Sequence, residues 1–272
     1  MMRTMQWIIA AAVLIVAGMA PAAVLVNEDF SGYSQGALVG QSAQGQGLTG
    51  TWTGDNTNLD VIAGDTVRYD RPNDWNAKRA AQAATESGQP FSDFLASNGT
   101  VFYAGLRVRL DDDSVSGDGT PDSDPTGDAR AQLFFDGNPL SFGLYDDGTF
   151  GIEGGQSSGI FGGTYSTGTD YLLVLRVVYN PGGDDTSEAV KLWVNPTSEA
   201  DVPVIDDTDN LLFNSWTSFN AVGVYGENRS GNWADFGQVV VGESFADVIP
   251  EPASMALLGL GGLAGILRRR RA

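Results

Sequence analysis

Residues 101–110 read VFYAGLRVRL, and this stretch decides the fold. Phe102, Ala104, Leu106, Val108 and Leu110 fall at every second position, while Arg107 and Arg109 sit on the alternate set. A period of two predicts a strand with one apolar and one wet face. DYLLVLRVVYN at 170–180 differs: Tyr171, Leu173, Leu175, Val177 and Tyr179 share one face, and the other is also apolar except for Arg176. A strand apolar on both sides belongs in the middle of a sheet. EAVKLWV at 188–194 alternates again, following a turn at Gly182-Gly183-Asp184-Asp185.

Outward from these strands, LSFGLYDDGTFGIEG at 140–154 predicts a hairpin. Its Asp147-Gly148 suits a two-residue turn in which both central positions need positive φ. Further strands are expected at 24–30, 59–63, 66–70, 129–135, 219–225 and 235–241, and the one candidate helix is WNAKRAAQAATE at 75–86. No internal repeat of fixed period appears. With 36 glycines and 10% aromatic residues, the chain reads as all-β with many turns. Roughly a dozen strands in one domain, residues 24–249, predict two packed antiparallel sheets, a jelly-roll sandwich.

The chain has 15 Lys+Arg against 34 Asp+Glu. Arg3, Arg268–Arg271 and Glu251 lie at the ends, so residues 24–249 carry 10 basic and 33 acidic groups, and 10 − 33 = −23. That charge argues against nucleic acid as a partner. No cysteine or histidine is present. Disulfides, zinc–thiolate sites, a histidine general base and a Ser-His-Asp triad are therefore excluded.

Both ends differ from the core. Arg3, an apolar run from Trp7 to Ala20 and the A-x-A pattern at Ala20-Pro21-Ala22 predict a signal peptide over residues 1–23. At the other end, VIPEPASMALLGLGGLAGILRRRRA closes the chain. Ala253–Leu267 would span about 22 Å as a helix, short for a hydrocarbon layer of about 30 Å. The arginines that follow would snorkel on the cytoplasmic side and extend its reach.

Pro250, Glu251 and Pro252, then an apolar helix, then Arg268, Arg269, Arg270 and Arg271, resemble the PEP-CTERM sorting signal over residues 250–272. The resemblance implies an exosortase-type processing enzyme as partner, and export in a Gram-negative-type bacterium that makes extracellular polysaccharide. It implies membrane anchoring in transit, then the cell surface, outer membrane or matrix. EDFSGYSQGALVGQ (28–41), KLWVNPT (191–197) and DFGQVVVGESFADV (235–248) resemble the concanavalin A-like lectin/glucanase sandwich in its laminin-G-like form. In such domains the first and last strands pair.

Two sets of residues could carry chemistry. LDDDSVSGDGTPDSDPTGDAR at 110–130 holds Asp111, Asp113, Asp118, Asp122, Asp124 and Asp128 among glycines, a composition able to offer Ca²⁺ several oxygens. No window fits an EF-hand loop, and a solvated acidic loop is the plainer reading. Trp75 with Asp74, Trp216, and Trp233 with Asn232 could stack on and hydrogen-bond a sugar. For each tryptophan, core packing is the competing reading. Trp52 and Trp193 are expected to pack. The Glu-x-Asp-x-x-Glu strand carried by many glucanases of this fold is missing. Glu153 stands alone, and Glu199 and Asp201 sit in a loop.

The leading expectation is an exported, non-catalytic surface or matrix protein binding polysaccharide, with a structural Ca²⁺. The alternatives are a divergent glycoside hydrolase or lyase of the same fold, and a Ca²⁺-dependent adhesion module.

Overall fold

The computed structural model describes residues 23–54, 59–63, 65–70, 78–85, 91, 99–111, 127–154, 159–179, 188–211, 216, 218–228 and 233–249. Among these residues, sixteen strands form two antiparallel sheets. The nine-stranded sheet holds β1 (Val24–Glu28), β2 (Gly36–Ala37), β4 (Leu59–Ile62), β5 (Thr66–Asp70), β7 (Thr100–Asp111), β12 (Asp170–Tyr179), β13 (Glu188–Val194), β14 (Ile205–Leu211) and β16 (Trp233–Gly242). The seven-stranded sheet holds β3 (Leu48–Gly54), β6 (Lys78–Ala84), β8 (Gly127–Phe135), β9 (Asn138–Leu144), β10 (Thr149–Gly154), β11 (Ile160–Thr164) and β15 (Phe219–Asn228). One short helix, α1 (Phe245–Val248), follows β16.

In the larger sheet the order is β14-β13-β12-β7-β16-β5-β4-β2, with β1 also paired to β16. First and last strands therefore pair, Asn27 opposite Val240 and Glu28 opposite Val239. The smaller sheet runs β11-β10-β9-β8-β15-β6-β3.

The alternation in 101–110 becomes the centre of the core. Phe102, Ala104, Leu106, Val108 and Leu110 are all buried against residues of the other sheet, among them Leu133, Phe135, Phe142 and Val224. Leu173, Leu175, Val177 and Tyr179 of β12 join them. Each large apolar side chain so enclosed contributes about 1.5–3 kcal/mol by leaving water. The opposite face of β12 is also covered. Val174 lies in a second cluster with Tyr103, Trp193, Val240 and Val248, outside the nine-stranded sheet and beneath α1. Gly105 makes this close approach possible, because a Cβ there would stand 2.9 Å from the Val248 carbonyl oxygen.

Two local expectations need correction. The alanine-rich segment expected to be a helix holds β6 instead, paired to β15 on one side and β3 on the other. Ala80, Gln82 and Ala84 turn inward at period two. Helix propensity favours alanine by only tenths of a kcal/mol per residue, and a slot between two strands overrides it. The hairpin at 140–154 exists, but Asp147-Gly148 does not form a two-residue turn. Gly148 has φ +80° while Asp147 has no positive φ, and the Gly148 N–H donates to the Tyr145 carbonyl at 3.0 Å. This is a longer loop closed by a glycine in the left-handed region. The turn with two positive φ values is Asp136-Gly137, at +49° and +84°, between β8 and β9.

Residues 1–22 and 250–272 lie outside the described residues, so the expected signal peptide, the Pro-Glu-Pro, the membrane helix and the arginine cluster do too. Among the described residues no helix is long and apolar enough to cross a membrane.

Candidate functional site

Side chains on the outer face of the seven-stranded sheet form a polar trough of about 440 Å³. Alternation builds it. On β8, Ala129, Ala131 and Leu133 point into the core, so Asp128, Arg130 and Gln132 point out. By the same rule β9 presents Ser141, β10 presents Gly151 and Glu153, and β15 presents Tyr225 and Glu227. Register brings them together: Gln132 stands opposite Ser141 and Gly223, and Arg130 opposite Gly143 and Tyr225.

Arg130 is the hub. Its guanidinium lies 4.1 Å from the centroid of the Tyr145 ring and 4.7 Å from that of Tyr225. One terminal nitrogen donates to Glu153 Oε2 at 2.6 Å and the other to Asp128 Oδ2. The other Asp128 oxygen accepts the Asp146 N–H at 2.8 Å, so this carboxylate also ties down the β9–β10 loop. Burial raises the Asp128 pKa to about 6, against the pull of Arg130. Burial likewise pushes the Tyr145 and Tyr225 hydroxyls above their ordinary range.

Several polar atoms here have no protein partner. Among the described residues, Arg130 Nε, Gln132 Oε1 and the Tyr145 hydroxyl are buried without one. Gln132 uses its Nε2 on Ser141 Oγ at 3.2 Å. Beside the trough, Phe161 of β11 is 48% exposed, one of two large apolar side chains exposed among the described residues. Its ring meets Tyr145 edge-on, with centroids 4.9 Å apart. It lies over Gly151, where a Cβ would come within 2.6 Å of both rings.

The residues singled out from sequence fall elsewhere. Trp216 is buried and stacked on Phe135 with centroids 5.6 Å apart, so its ring belongs to the core and offers no face to a sugar. Trp233 and Asp111, expected in different sites, are neighbours across β16 and β7. The Trp233 indole N–H donates to Asp111 Oδ2 at 2.9 Å, and the Arg68 guanidinium covers the ring at 4.8 Å. Asp111 Oδ1 takes Arg109 at 2.7 Å. Of the proposed calcium ligands, Asp111 and Asp128 thus have both oxygens bonded to protein donors. Asp113, Asp118, Asp122 and Asp124 lie outside the described residues, as do Trp75, Asp74 and Asn232. Among the described residues no cluster of three metal-ligating side chains occurs. Trp52 and Trp193 are buried as expected.

A second groove of about 510 Å³, on the outer face of the nine-stranded sheet, is lined by Arg107, Arg109, Asp170, Asn195 and Asp235. Asp235, on its lining, pairs with Arg68 of the neighbouring strand at 2.7 Å. The loop carboxylates Glu199 and Asp201 are occupied. Glu199 accepts from the Tyr103 hydroxyl at 2.8 Å, and Asp201 accepts the Thr197 and Ser198 N–H groups at 2.7 and 3.1 Å.

The last described residues bear on identity. Val248 is 2% exposed and, with Ile249, packs against the outer face of the nine-stranded sheet. Residues 248–271 match the PEP-CTERM protein-sorting motif. The PEP-CTERM tail marks the chain for export, with membrane-anchored transit in Gram-negative-type bacteria. It starts inside α1, so Pro250 follows the packed Val248 by two residues. No curated protein matches the chain. Solved structures with a similar sandwich include the Trypanosoma rangeli sialidase, 9% identical with a TM-score of 0.46 over 81% of this chain and 30% of the sialidase. The T. cruzi calreticulin globular domain is 10% identical, with a TM-score of 0.48 over 89% of this chain and 95% of that one. The VIP36 exoplasmic/lumenal domain, in a Ca²⁺/Man3GlcNAc-bound form, is 11% identical with a TM-score of 0.44 over 75% and 86%. The chain spans only 16% and 30% of the length of the first two sialidases it matches.

Proposed function

We propose that the protein is an exported, non-catalytic surface or matrix component that binds polysaccharide on the outer face of its seven-stranded sheet. The exposed Phe161 ring beside a trough of incompletely paired polar groups carries this reading. An aromatic face stacks on a pyranose ring, and unpaired amide and carboxylate atoms take its hydroxyls. The processing partner is an exosortase-type enzyme acting on the PEP-CTERM tail, and the destination is the cell surface, outer membrane or matrix.

Binding fits the trough better than hydrolysis does. Glycoside hydrolysis uses two carboxylates facing the scissile bond. Asp128 is 2% exposed with both oxygens engaged, which leaves Glu153 as the accessible carboxylate on the trough's lining. A glycan array probed with the full chain tests the reading. Binding that Phe161→Ala abolishes supports it. Release of reducing sugar from a bound polysaccharide, lost in Glu153→Gln, would replace it with the hydrolase alternative. A structural Ca²⁺, and with it the adhesion-module alternative, rests on the four aspartates between 113 and 124. A rise in Tm with calcium over EDTA that persists in Asp111→Asn is the expected sign of such a site.

A further inference from the structure

We infer that the trough around Arg130 accepts neutral sugars and rejects acidic ones; this inference rests on the polysaccharide reading above. The decisive feature is how Arg130, the cation on the trough's described lining, is spent. Both terminal nitrogens of Arg130 are bonded to carboxylates, Asp128 and Glu153. Tyr145 and Tyr225 pack against the guanidinium, and Nε is buried. The geometry that lets a guanidinium grip a ligand carboxylate needs two free N–H groups on one edge. On Arg130 both terminal nitrogens already serve carboxylates, so a ligand carboxylate would have to share or displace them.

The surrounding charge points the same way. Among the described side chains, Asp128, Glu153, Asp146 and Glu227 contribute negative charge around Arg130. Glu153 is half-exposed, and among the described residues its Oε1 receives no protein donor. A ligand carboxylate or sulfate entering here meets a like charge at short range, while a hydroxyl meets an acceptor.

Gln132 strengthens the case whichever way its amide is turned. One of its two polar atoms bonds Ser141 and the other has no partner. If the free atom is oxygen it needs a donor, and if nitrogen an acceptor. A sugar hydroxyl is both, and an anionic group can be only an acceptor. Of a hydroxyl and a carboxylate, only the hydroxyl can satisfy Gln132 and Glu153 together.

The test pairs a neutral glucan with the same glucan oxidised to carry a carboxylate at its primary carbon, both titrated against the full chain. The neutral polymer is expected to bind at least about tenfold more tightly, with a gap that narrows as salt is added. Glu153→Gln is expected to narrow the gap without added salt. Because Glu153 also holds Arg130, its Tm is measured alongside, and Phe161→Ala, which removes no charge, is expected to weaken both polymers equally. Equal or tighter binding of the oxidised glucan overturns this inference and leaves the polysaccharide reading standing. Binding of neither polymer, or of both with no effect of Phe161→Ala, overturns the assignment of the trough as the sugar site and this inference with it.

Discussion

The outer face of the nine-stranded sheet is finished by the protein itself. Phe245 and Val248 cover Tyr103, Trp193 and Val240 at one end. Over the rest, cations meet anions: Arg68 with Asp235, Arg109 with Asp111, Arg176 with Glu199 and Lys191 with Asp206. The outer face of the seven-stranded sheet is built by the same alternation and ends differently. Among its described side chains it gathers Arg130 with Asp128, Glu153 and Glu227, leaves Arg130 Nε, Gln132 Oε1 and the Tyr145 hydroxyl buried without partners where the other face leaves Arg109 Nε, and keeps a phenylalanine half in water. A buried polar atom left unpaired costs about 1–3 kcal/mol, a cost that a ligand able to pair it relieves. On the proposed reading, the contrast separates a face closed mostly by its own contacts from one that a guest would complete.

Breaking the closed face should damage stability and spare binding. Trp193 is fully buried there and donates its indole N–H to the Asp201 carbonyl at 2.8 Å. Trp193→Ala is expected to cost about 3–5 kcal/mol, read as a lower urea midpoint, with unchanged glycan affinity per folded molecule. If affinity fell in step with stability, the two faces would not be independent.

Breaking the open face should do the reverse. Gly151→Val places carbon where Phe161 and Tyr145 now lie. Overpacking costs about 1–3 kcal/mol, and the ring that would stack on sugar must move. The expected outcome is loss of most glycan binding with a smaller fall in the urea midpoint than Trp193→Ala gives.

The faces should also differ in their response to acid. Asp128 has a folded-state pKa of about 6 against an ordinary 3.8. A carboxyl raised on folding binds its proton more tightly in the native state, so its contribution to stability is present below about pH 4 and is lost as pH rises through about 6. Buried Glu28, whose pKa is also raised by burial, acts in the same direction. Tm is therefore expected to climb on acidification from pH 7 to 5, and Asp128→Asn, a neutral stand-in for the protonated carboxyl, to flatten that climb by raising Tm at pH 7. A climb equally steep in Asp128→Asn would assign it to Glu28 or to relief of the general negative charge.

The strands were legible where burial alternates. VFYAGLRVRL and EAVKLWV predict β7 and β13 nearly to the residue, because one face meets the core and the other water. Chemistry local to a dipeptide was legible in part: among the described residues Asp-Gly occurs at 136–137 and at 147–148, and the first of these has the two-residue geometry. The second is drawn into a longer loop by Asp128, a partner 18 residues away. The alanines of β6 carry a helical bias that only the neighbouring strands overrule. The trough was the least legible part. Arg130, Glu153, Phe161 and Tyr225 come from four strands spread over nearly a hundred residues, and no local pattern marks them as a group. Phe161 alone carries a signal, an aromatic residue between glycines in GIFGG, where nothing else on the strand competes for the surface.

The smallest expected effect falls on the charged end of the closed face. Arg68 and Asp235 form two bonds of 2.7 Å, yet their side chains are 28% and 16% exposed, and Arg68 also rests on Trp233. Partly solvated pairs of this kind are worth about 0–1 kcal/mol, because water would serve either partner nearly as well. Asp235→Asn keeps an acceptor for one of the two bonds and leaves the stack on Trp233 in place. It should therefore lower the urea midpoint by an amount near the limit of measurement, and less at high salt, where screening has already weakened the pair. A larger loss would mean that Asp235 neutralises Arg68 for the whole groove, with Arg107 and Arg109 close by. The closed face would then owe its cohesion to charge balance as much as to the packing under α1.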